Sequence, residues 1–333
     1  MVLLIWRLHA VVLCAVLCGS LAGCQSGEQA SDPDPGTRGA VPEVYLTKLQ
    51  EHRANREERL RSPDGWLALV GLHWLQPGDN PFAVAADGGN LLFPRENGDP
   101  VPEDARELGA FAWEGESVSV KAVPGAGLQL DAVEGEEPGV LPAGEAVPLL
   151  DDAAEGGPST LVFDNLSFYI IRRGEQVGVR VKSSVAPALV EFHGLDYFPV
   201  DLSWKIEAHF EPYETPKTVG IPNVLGTVYE EQVAGAVVFE AAGETYRIEP
   251  IVEVDGTFFL IFADTTNGKE TYGAGRFLYA DPPDAEGRVN LDFNYAYNPP
   301  CAFSPYATCP LPPKENKLPI PIEAGEKKYG EHH

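Results

Sequence analysis

The sequence has little cysteine, little methionine and a shortage of positive charge. Its 333 residues include five cysteines and one methionine, and 24 Lys and Arg face 50 Asp and Glu, which gives a formal net charge of −26. Binding of nucleic acid requires clustered cations that neutralise phosphates. This balance therefore excludes an ordinary nucleic-acid partner and argues against adhesion to anionic lipid headgroups. The acidic excess itself mainly predicts solubility.

The common catalytic and nucleotide-binding motifs are absent. The sequence contains no G-x-S-x-G elbow, S-x-x-K, H-E-x-x-H, Walker A or G-x-G-x-x-G pattern. The usual hydrolase, zinc-protease and nucleotide-binding mechanisms therefore have no motif that supports them. We expect no cofactor and no metal site.

The sequence also lacks an apolar run long enough to span a bilayer, which requires about 20 residues. The apolar run 8–18 follows Arg7 and has the length of a signal-peptide core. Leu21-Ala22-Gly23-Cys24 then resembles the lipobox of bacterial lipoproteins, in which the cysteine sulfur receives a diacylglycerol and fatty chains such as palmitate. We expect residues 1–23 to be a lipoprotein signal peptide and Cys24 to be the lipid anchor in the cell envelope. Gln25 favours the outer membrane if the organism is Gram-negative; an ordinary secretory signal with a chance cysteine is the alternative.

Two regions follow the signal peptide. Residues 24–41 are rich in Ser, Gly, Pro and Asp without apolar periodicity, which is typical of a flexible tether. Residues 42–333 form the expected body. Its length fits one large domain or two sub-domains, and the turn residues Gly156-Gly157-Pro158 put a division near residue 156.

The body is predicted to be mainly β. One helix is expected over 43–60, where helix formers follow Pro42. The remainder consists of short apolar segments separated by Gly, Pro and Asn-Gly or Asp-Gly turns. Such pairs of segments are 111–113 and 118–120 around Gly115, 167–171 and 177–181 around Gly174, and 246–254 and 257–262 around Asp255-Gly256. The run 258–262 is apolar on both faces and is expected to be buried. These patterns predict antiparallel sandwich or barrel-like sheets with one N-terminal helix.

Only Cys301 and Cys309 remain in the body, with seven residues between them. In an oxidising envelope a disulfide is the favoured state of this pair. Two buried free thiols are a second possibility, and metal or catalytic use is a third. Zinc would need further ligands, and residues 290–320 contain no histidine.

A polar group alternates with apolar residues near the C-terminal end. Asp292, Asn294 and Asn298 stand between hydrophobic positions, although asparagine is disfavoured in strands. Arg276 begins a preceding strand, and we expect it to reach Asp292 and to bind a carboxylate or phosphate. A buried network that braces the following loop is the structural alternative. His73 lies between apolar residues and is a further candidate for the site, with a core histidine as its alternative.

Three groups of segments carry a family resemblance. They are 62–67 with 71–75, 205–213, and the stretch from Thr271 to Tyr279 followed by 291–294 and 298–313, which includes both cysteines. Over roughly residues 45–329 the chain resembles the bacterial and archaeal domain-of-unknown-function family 1684. The resemblance implies a shared β-rich domain and transfers no activity. It also groups Arg276, Asp292 and Asn294 with the cysteines, which suggests one site.

Three functional hypotheses follow. The favoured one is an envelope lipoprotein that binds a small polar or anionic ligand in a cleft near Arg276 and Asp292. The second is an envelope enzyme of hydrolase type that uses His73 or the same cleft. The third is a structural or assembly lipoprotein that recognises a protein partner through the proline-rich segment 310–321. The membrane is the expected partner through Cys24, and the identity of a protein partner is open.

Overall fold

The computed structural model describes residues 40–94, 102–131 and 139–330. The predicted signal peptide, Cys24 and nearly all of the predicted tether lie outside the described residues. Within the described residues, no helix is both long enough and apolar enough to cross a membrane.

The structure confirms a mainly antiparallel β fold with an N-terminal helix. The helices are α1 (Glu43–Arg61) and the short α2 (Pro187–Val190). Single turns of 3-10 helix lie at Trp66–Ala68, Leu202–Trp204, Phe293–Tyr295, Pro300–Ala302 and Lys314–Asn316. Leu49 and Leu60 are the fully buried residues of α1, so the helix rests on the body through a narrow apolar contact.

Two sheets form the N-terminal half. In the order β1-β11-β10-β9-β6-β7, a six-stranded sheet contains β1 (Leu69–Trp74), β6 (Gln129–Leu130), β7 (Gly139–Val140), β9 (Thr160–Phe163), β10 (Leu166–Arg173) and β11 (Gln176–Ser183). In the order β3-β2-β4-β5-β8, a five-stranded sheet contains β2 (Gly78–Val84), β3 (Leu91–Leu92), β4 (Arg106–Glu114), β5 (Ser117–Ala122) and β8 (Ala146–Leu149). Strands from both sides of residue 156, where the sequence suggests a division, belong to the six-stranded sheet.

The two N-terminal sheets share one core. Its rings include Phe82, Phe111 and Phe168, and alternate valines of β11 point into it. The hairpin β10–β11 turns at Gly174, whose φ of 58° lies in the left-handed region that glycine adopts without strain. The sequence predicts this hairpin and the β4–β5 hairpin correctly from their turn residues.

Two further sheets form the C-terminal half. One has four strands in the order β14-β13-β12-β18, namely β12 (Lys205–Pro222), β13 (Val228–Ala241), β14 (Glu244–Ile248) and β18 (Arg288–Asp292). The other has three in the order β15-β16-β17, namely β15 (Ile251–Val252), β16 (Phe258–Phe262) and β17 (Arg276–Ala280). The alternation of polar and apolar residues that the sequence suggests through Asn298 ends at Asp292, because the chain turns there into the 3-10 helix Phe293–Tyr295.

The proline-rich C-terminal segment is part of this half's core. Leu318, Ile320, Ile322 and Ala324 are buried with residues of β16, β17 and β18. The side chain of Asn316 is buried as well and bonds to backbone groups of Glu249 and Ile261. The segment therefore packs as structure, which leaves little of it exposed for recognition of a partner.

Candidate functional site

The structure brings Asp292 and Asn294 together in a structural network. Asp292 accepts hydrogen bonds from the hydroxyl of Tyr45, from the backbone N–H of Asn294 and from the Asn294 amide. The Asn294 side chain also exchanges hydrogen bonds with the backbone of Asp201. These contacts fasten α1 and the chain before β12 to the end of β18.

Arg276 lies elsewhere in the C-terminal half and is fully buried. Its guanidinium forms a 2.8 Å ion pair with Asp264 and donates to the backbone carbonyls of Ile322 and Ala324. The expected pair between Arg276 and Asp292 is therefore not formed. Burial lowers the pKa of Arg276, and the Asp264 carboxylate opposes that shift.

Asn298 and His73 occupy two other places. The Asn298 backbone N–H donates to Glu326, and its amide donates to the carbonyl of Lys327. His73 lies on β1 with its ring stacked on Phe93, at 4.7 Å between centroids. None of the five predicted ligand-binding residues lines either of the two large cavities, of about 660 and 760 Å³, among the described residues.

Cys301 and Cys309 are adjacent but are not joined by a disulfide. Both are free thiols, and the backbone N–H of Cys301 lies 3.1 Å from the Cys309 sulfur. A hydrogen bond between the two side chains lowers the pKa of Cys301 and, together with burial, raises that of Cys309. The disulfide that the sequence favours is therefore absent. The pair consists of two free thiols, of which Cys301 is partly buried and Cys309 is buried.

A cavity of about 660 Å³ lies against the outer face of β10 and β11. We call it the arginine cavity and define it by Trp66, Arg172, Arg173, Arg180, Thr308 and Cys309. The alternation of side chains along β11 explains why Arg180 lines this cavity. Val177, Val179 and Val181 point into the N-terminal core, so Arg180 points to the opposite face of the sheet.

Arg180 is buried there without an anionic partner. It is 4% exposed because Trp66 and the segment around Thr308 cover the outer face of β11. Its Nη2 donates to Thr308 Oγ1 at 3.3 Å, and its guanidinium lies 5.3 Å from the centre of the Trp66 ring. Across the described residues its Nε has no hydrogen-bond partner and no carboxylate lies within ion-pair distance.

Arg172 and Arg173 also line the cavity but, unlike Arg180, each forms an ion pair with a carboxylate. Arg172 Nε lies 2.9 Å from Asp151, and Arg173 Nη1 lies 2.8 Å from Asp152. Arg173 Nε also donates to Thr308 Oγ1 at 3.0 Å. The Thr308 hydroxyl thus accepts two hydrogen bonds, which leaves its own proton for an acceptor.

A second cavity of about 760 Å³ adjoins the first. We call it the aromatic cavity and define it by Arg56, Trp66, Phe259, Phe277, Tyr279 and Tyr297. Trp66, Phe277 and Pro300 line both cavities. The four phenyl and phenol rings stand on or beside the face of β16 and β17 that points away from the C-terminal core.

Sequence reasoning missed both cavities. In QVGVRVKS a basic residue between valines has the pattern of an ordinary wet strand face. Only the long-range contact with Thr308 distinguishes Arg180 from a solvated cation. The one available signal is the number of arginines in 172–180 of a strongly acidic chain.

The family comparison covers part of the C-terminal half. Residues 190–327 match the model of a family described as a protein of unknown function, DUF1684. This is the C-terminal part of the stretch 45–329 on which the resemblance rests. Among solved structures the chain is similar to the solution NMR structure of an uncharacterized protein of Haloarcula marismortui. The two share 31% identity over 43% of this chain and 80% of that chain, with a TM-score of 0.37. No curated protein matches the chain.

Proposed function

We propose that this chain, whose residues 190–327 belong to the DUF1684 family, is a binding protein for a small anionic ligand held in the arginine cavity. The observation that carries the proposal is Arg180, a buried guanidinium without a carboxylate partner at the wall of a cavity. Removing such a charge from water costs several kcal/mol unless an opposite charge compensates for it. A bound anion would supply that charge.

The surroundings of Arg180 suit a carboxylate or phosphate group. Guanidinium groups bind such anions through paired, charge-assisted hydrogen bonds. The Arg180 guanidinium and the Thr308 hydroxyl line the same wall of the cavity, and among the described residues no carboxylate pairs with that guanidinium. The proposal keeps the anionic ligand expected from the sequence and moves its site from Arg276 and Asp292 to Arg180.

Titration calorimetry with phosphate, sulfate and acetate at constant ionic strength tests the proposal. At least one anion is expected to bind the wild-type body, and Arg180→Gln is expected to abolish the heat of binding. Lys182→Gln is the matched control, because Lys182 lies on the same strand face two residues away and does not line the cavity. Equal binding by wild type and Arg180→Gln would refute the proposal.

A thermal denaturation series separates loss of binding from loss of folding. Since an anion that binds only the native state stabilises it, the binding anion is expected to raise the Tm of wild type and of Lys182→Gln. Arg180→Gln removes an uncompensated buried charge, so its Tm without anion is expected to equal or exceed that of wild type. Its Tm should not respond to the anion beyond the general salt effect.

We further propose that the protein works at the surface of a membrane, anchored through Cys24. The support is the apolar run 8–18 and the lipobox-like Leu21-Ala22-Gly23-Cys24. Full-length protein expressed in a bacterium with a labelled palmitate analogue is expected to carry the label. A Cys24→Ala variant that still carries it would refute the anchor.

A further inference from the structure

The arginine and aromatic cavities adjoin, and this arrangement bears on the shape of the ligand. Trp66, Phe277 and Pro300 line both of them. Trp66 has the Arg180 guanidinium near its ring and also forms a wall of the aromatic cavity. A molecule whose charged group contacts Arg180 can therefore extend past Trp66 into the second space.

The aromatic cavity contains a stacked platform. The rings of Phe259 and Tyr279 lie 4.9 Å apart with an interplanar angle of 27°, and those of Tyr279 and Tyr297 lie 6.3 Å apart at 15°. Phe277 packs edge to face against Phe259 and Tyr297 and so supports two of the three stacked rings. The three stacked rings therefore have similar orientations.

Tyr279 is the exposed member of this platform. It is 49% exposed although it belongs to a packed aromatic group, whereas Phe277 is 6% exposed. An aromatic side chain that is held by its neighbours and lines a cavity offers apolar surface with little conformational entropy to lose on binding. Planar rings pack against aromatic groups in offset-stacked or edge-to-face geometry.

We infer that the ligand is an amphipathic anion with an aromatic body: its carboxylate or phosphate lies at Arg180 and Thr308, and its ring lies on the Tyr279 platform. The inference rests on the proposed function, because it assigns the anionic end to the arginine cavity. An anion without a ring would fill only one of the two adjoining spaces.

Two matched probe series test the class of the ligand by calorimetry. One consists of phosphate, 2-naphthyl phosphate and cyclohexyl phosphate, and the other of acetate, 2-naphthylacetate and cyclohexylacetate. In the series with the preferred charged group, the naphthyl compound is expected to bind most tightly. Its margin over the cyclohexyl compound should be about 3- to 10-fold, the usual gain from ring stacking. Equal affinity of the naphthyl and cyclohexyl compounds would overturn the aromatic assignment.

Variants of Tyr279 separate the two cavities. Tyr279→Ser is expected to remove the naphthyl margin while the affinity for the bare anion stays unchanged, and Tyr279→Phe, which keeps the ring, is expected to retain it. If Tyr279→Ser binds the naphthyl compound as wild type does, the platform assignment is wrong and the anion site at Arg180 is unaffected. If Arg180→Gln binds the naphthyl compound as wild type does, the proposed function itself fails.

Discussion

The hydroxyl of Tyr45 donates to both carboxylate oxygens of Asp292, at distances of 2.9 and 3.1 Å. Tyr45 lies in the first turn of α1, and Asp292 is the last residue of β18. Burial, followed by the negative charge of Asp292, raises the pKa of Tyr45, so the phenol stays protonated and continues to donate. Together with the ion pair between Arg56 and Glu326, this contact holds a helix that has two fully buried residues.

Replacing Tyr45 by Phe is therefore expected to lower the free energy of unfolding by about 1.5–3 kcal/mol, the usual range for a hydrogen bond to a charged group. Urea denaturation measures the change. Tyr306→Phe is the control, because Tyr306 is exposed and its hydroxyl has no hydrogen bond among the described residues; its effect should stay within about 0.5 kcal/mol. Equal effects of the two substitutions would contradict the role given to the Tyr45–Asp292 contact.

The buried ion pair between Arg276 and Asp264 leads to a second prediction. Both side chains are fully inaccessible to solvent, and Arg276 also satisfies two backbone carbonyls of the C-terminal segment. Arg276→Met leaves the buried Asp264 carboxylate without its counter-ion and these carbonyls without their donor, so a loss of about 3–5 kcal/mol is expected. Chemical denaturation of Arg276→Met, Asp264→Asn and the double variant should give a double-variant loss well below the sum of the two single losses.

Anion-binding measurements distinguish the structural pair of Arg276 and Asp264 from Arg180 of the proposed site. Folded Asp264→Asn protein is expected to bind anions as wild type does, because Asp264 does not line the arginine cavity. The structural role of the pair would be contradicted if the losses of unfolding free energy in the two single variants simply added in the double variant. It would also be contradicted if Asp264→Asn no longer bound anions.

Local signals in the sequence predict much of the fold and little of the site. The charged helix after Pro42 and the hairpins around Gly115 and Gly174 depend on residues close in sequence, and each forms where it is predicted. Arg276 shows the limit. Its partner is Asp264, in the loop between β16 and β17, and the sequence offers no spacing rule that prefers Asp264 to Asp292.

The arginine cavity depends on contacts that local patterns do not encode. Arg180 becomes a buried group because Trp66 and a segment 128 residues later in the chain cover its strand, and that segment brings Thr308 to it. Phe259 likewise lies on the second face of β16, whose apolar run predicts complete burial, and it is only partly buried because this face lines the aromatic cavity.

A glycine just before Arg276 gives a third prediction. Gly275 has a φ of 98°, and a Cβ at this position would lie 2.5 Å from Pro312 Cγ and 2.6 Å from the carbonyl oxygen of Phe262. Gly275→Ala is therefore expected to cost at least about 2 kcal/mol, since it adds backbone strain to a clash with a proline ring. Gly273→Ala is the matched control, because a Cβ there would meet only Gly268 Cα, at 3.8 Å.

Thermal and urea unfolding of the two glycine variants measure the difference. Gly273→Ala should stay within about 1 kcal/mol of wild type. If both variants unfold like wild type, the close approach of the proline-rich segment to Gly275 is not a constraint on the fold.

The thiol pair gives a prediction about pH. The hydrogen bond from Cys309 favours the thiolate of Cys301 and lowers the pKa of Cys301, while the same bond and burial raise the pKa of Cys309. Cys301 is also the more exposed of the two. Because the thiolate is the reactive form, Cys301 of the reduced protein is expected to react with iodoacetamide before Cys309. Its reaction should become fast at a pH below the ordinary thiol pKa of about 8.5.

Mass spectrometry of the reduced, folded protein after short pulses of iodoacetamide between pH 5 and pH 9 tests this order. In Cys309→Ala the donor to Cys301 is gone, so the pKa of Cys301 should rise and its alkylation profile should move to higher pH. Cys309→Ser keeps a hydroxyl donor, and its profile is expected to lie between those of wild type and Cys309→Ala. The coupling between the two sulfurs would be disproved if Cys309 reacted first, or if the Cys301 profile were the same in wild type and Cys309→Ala.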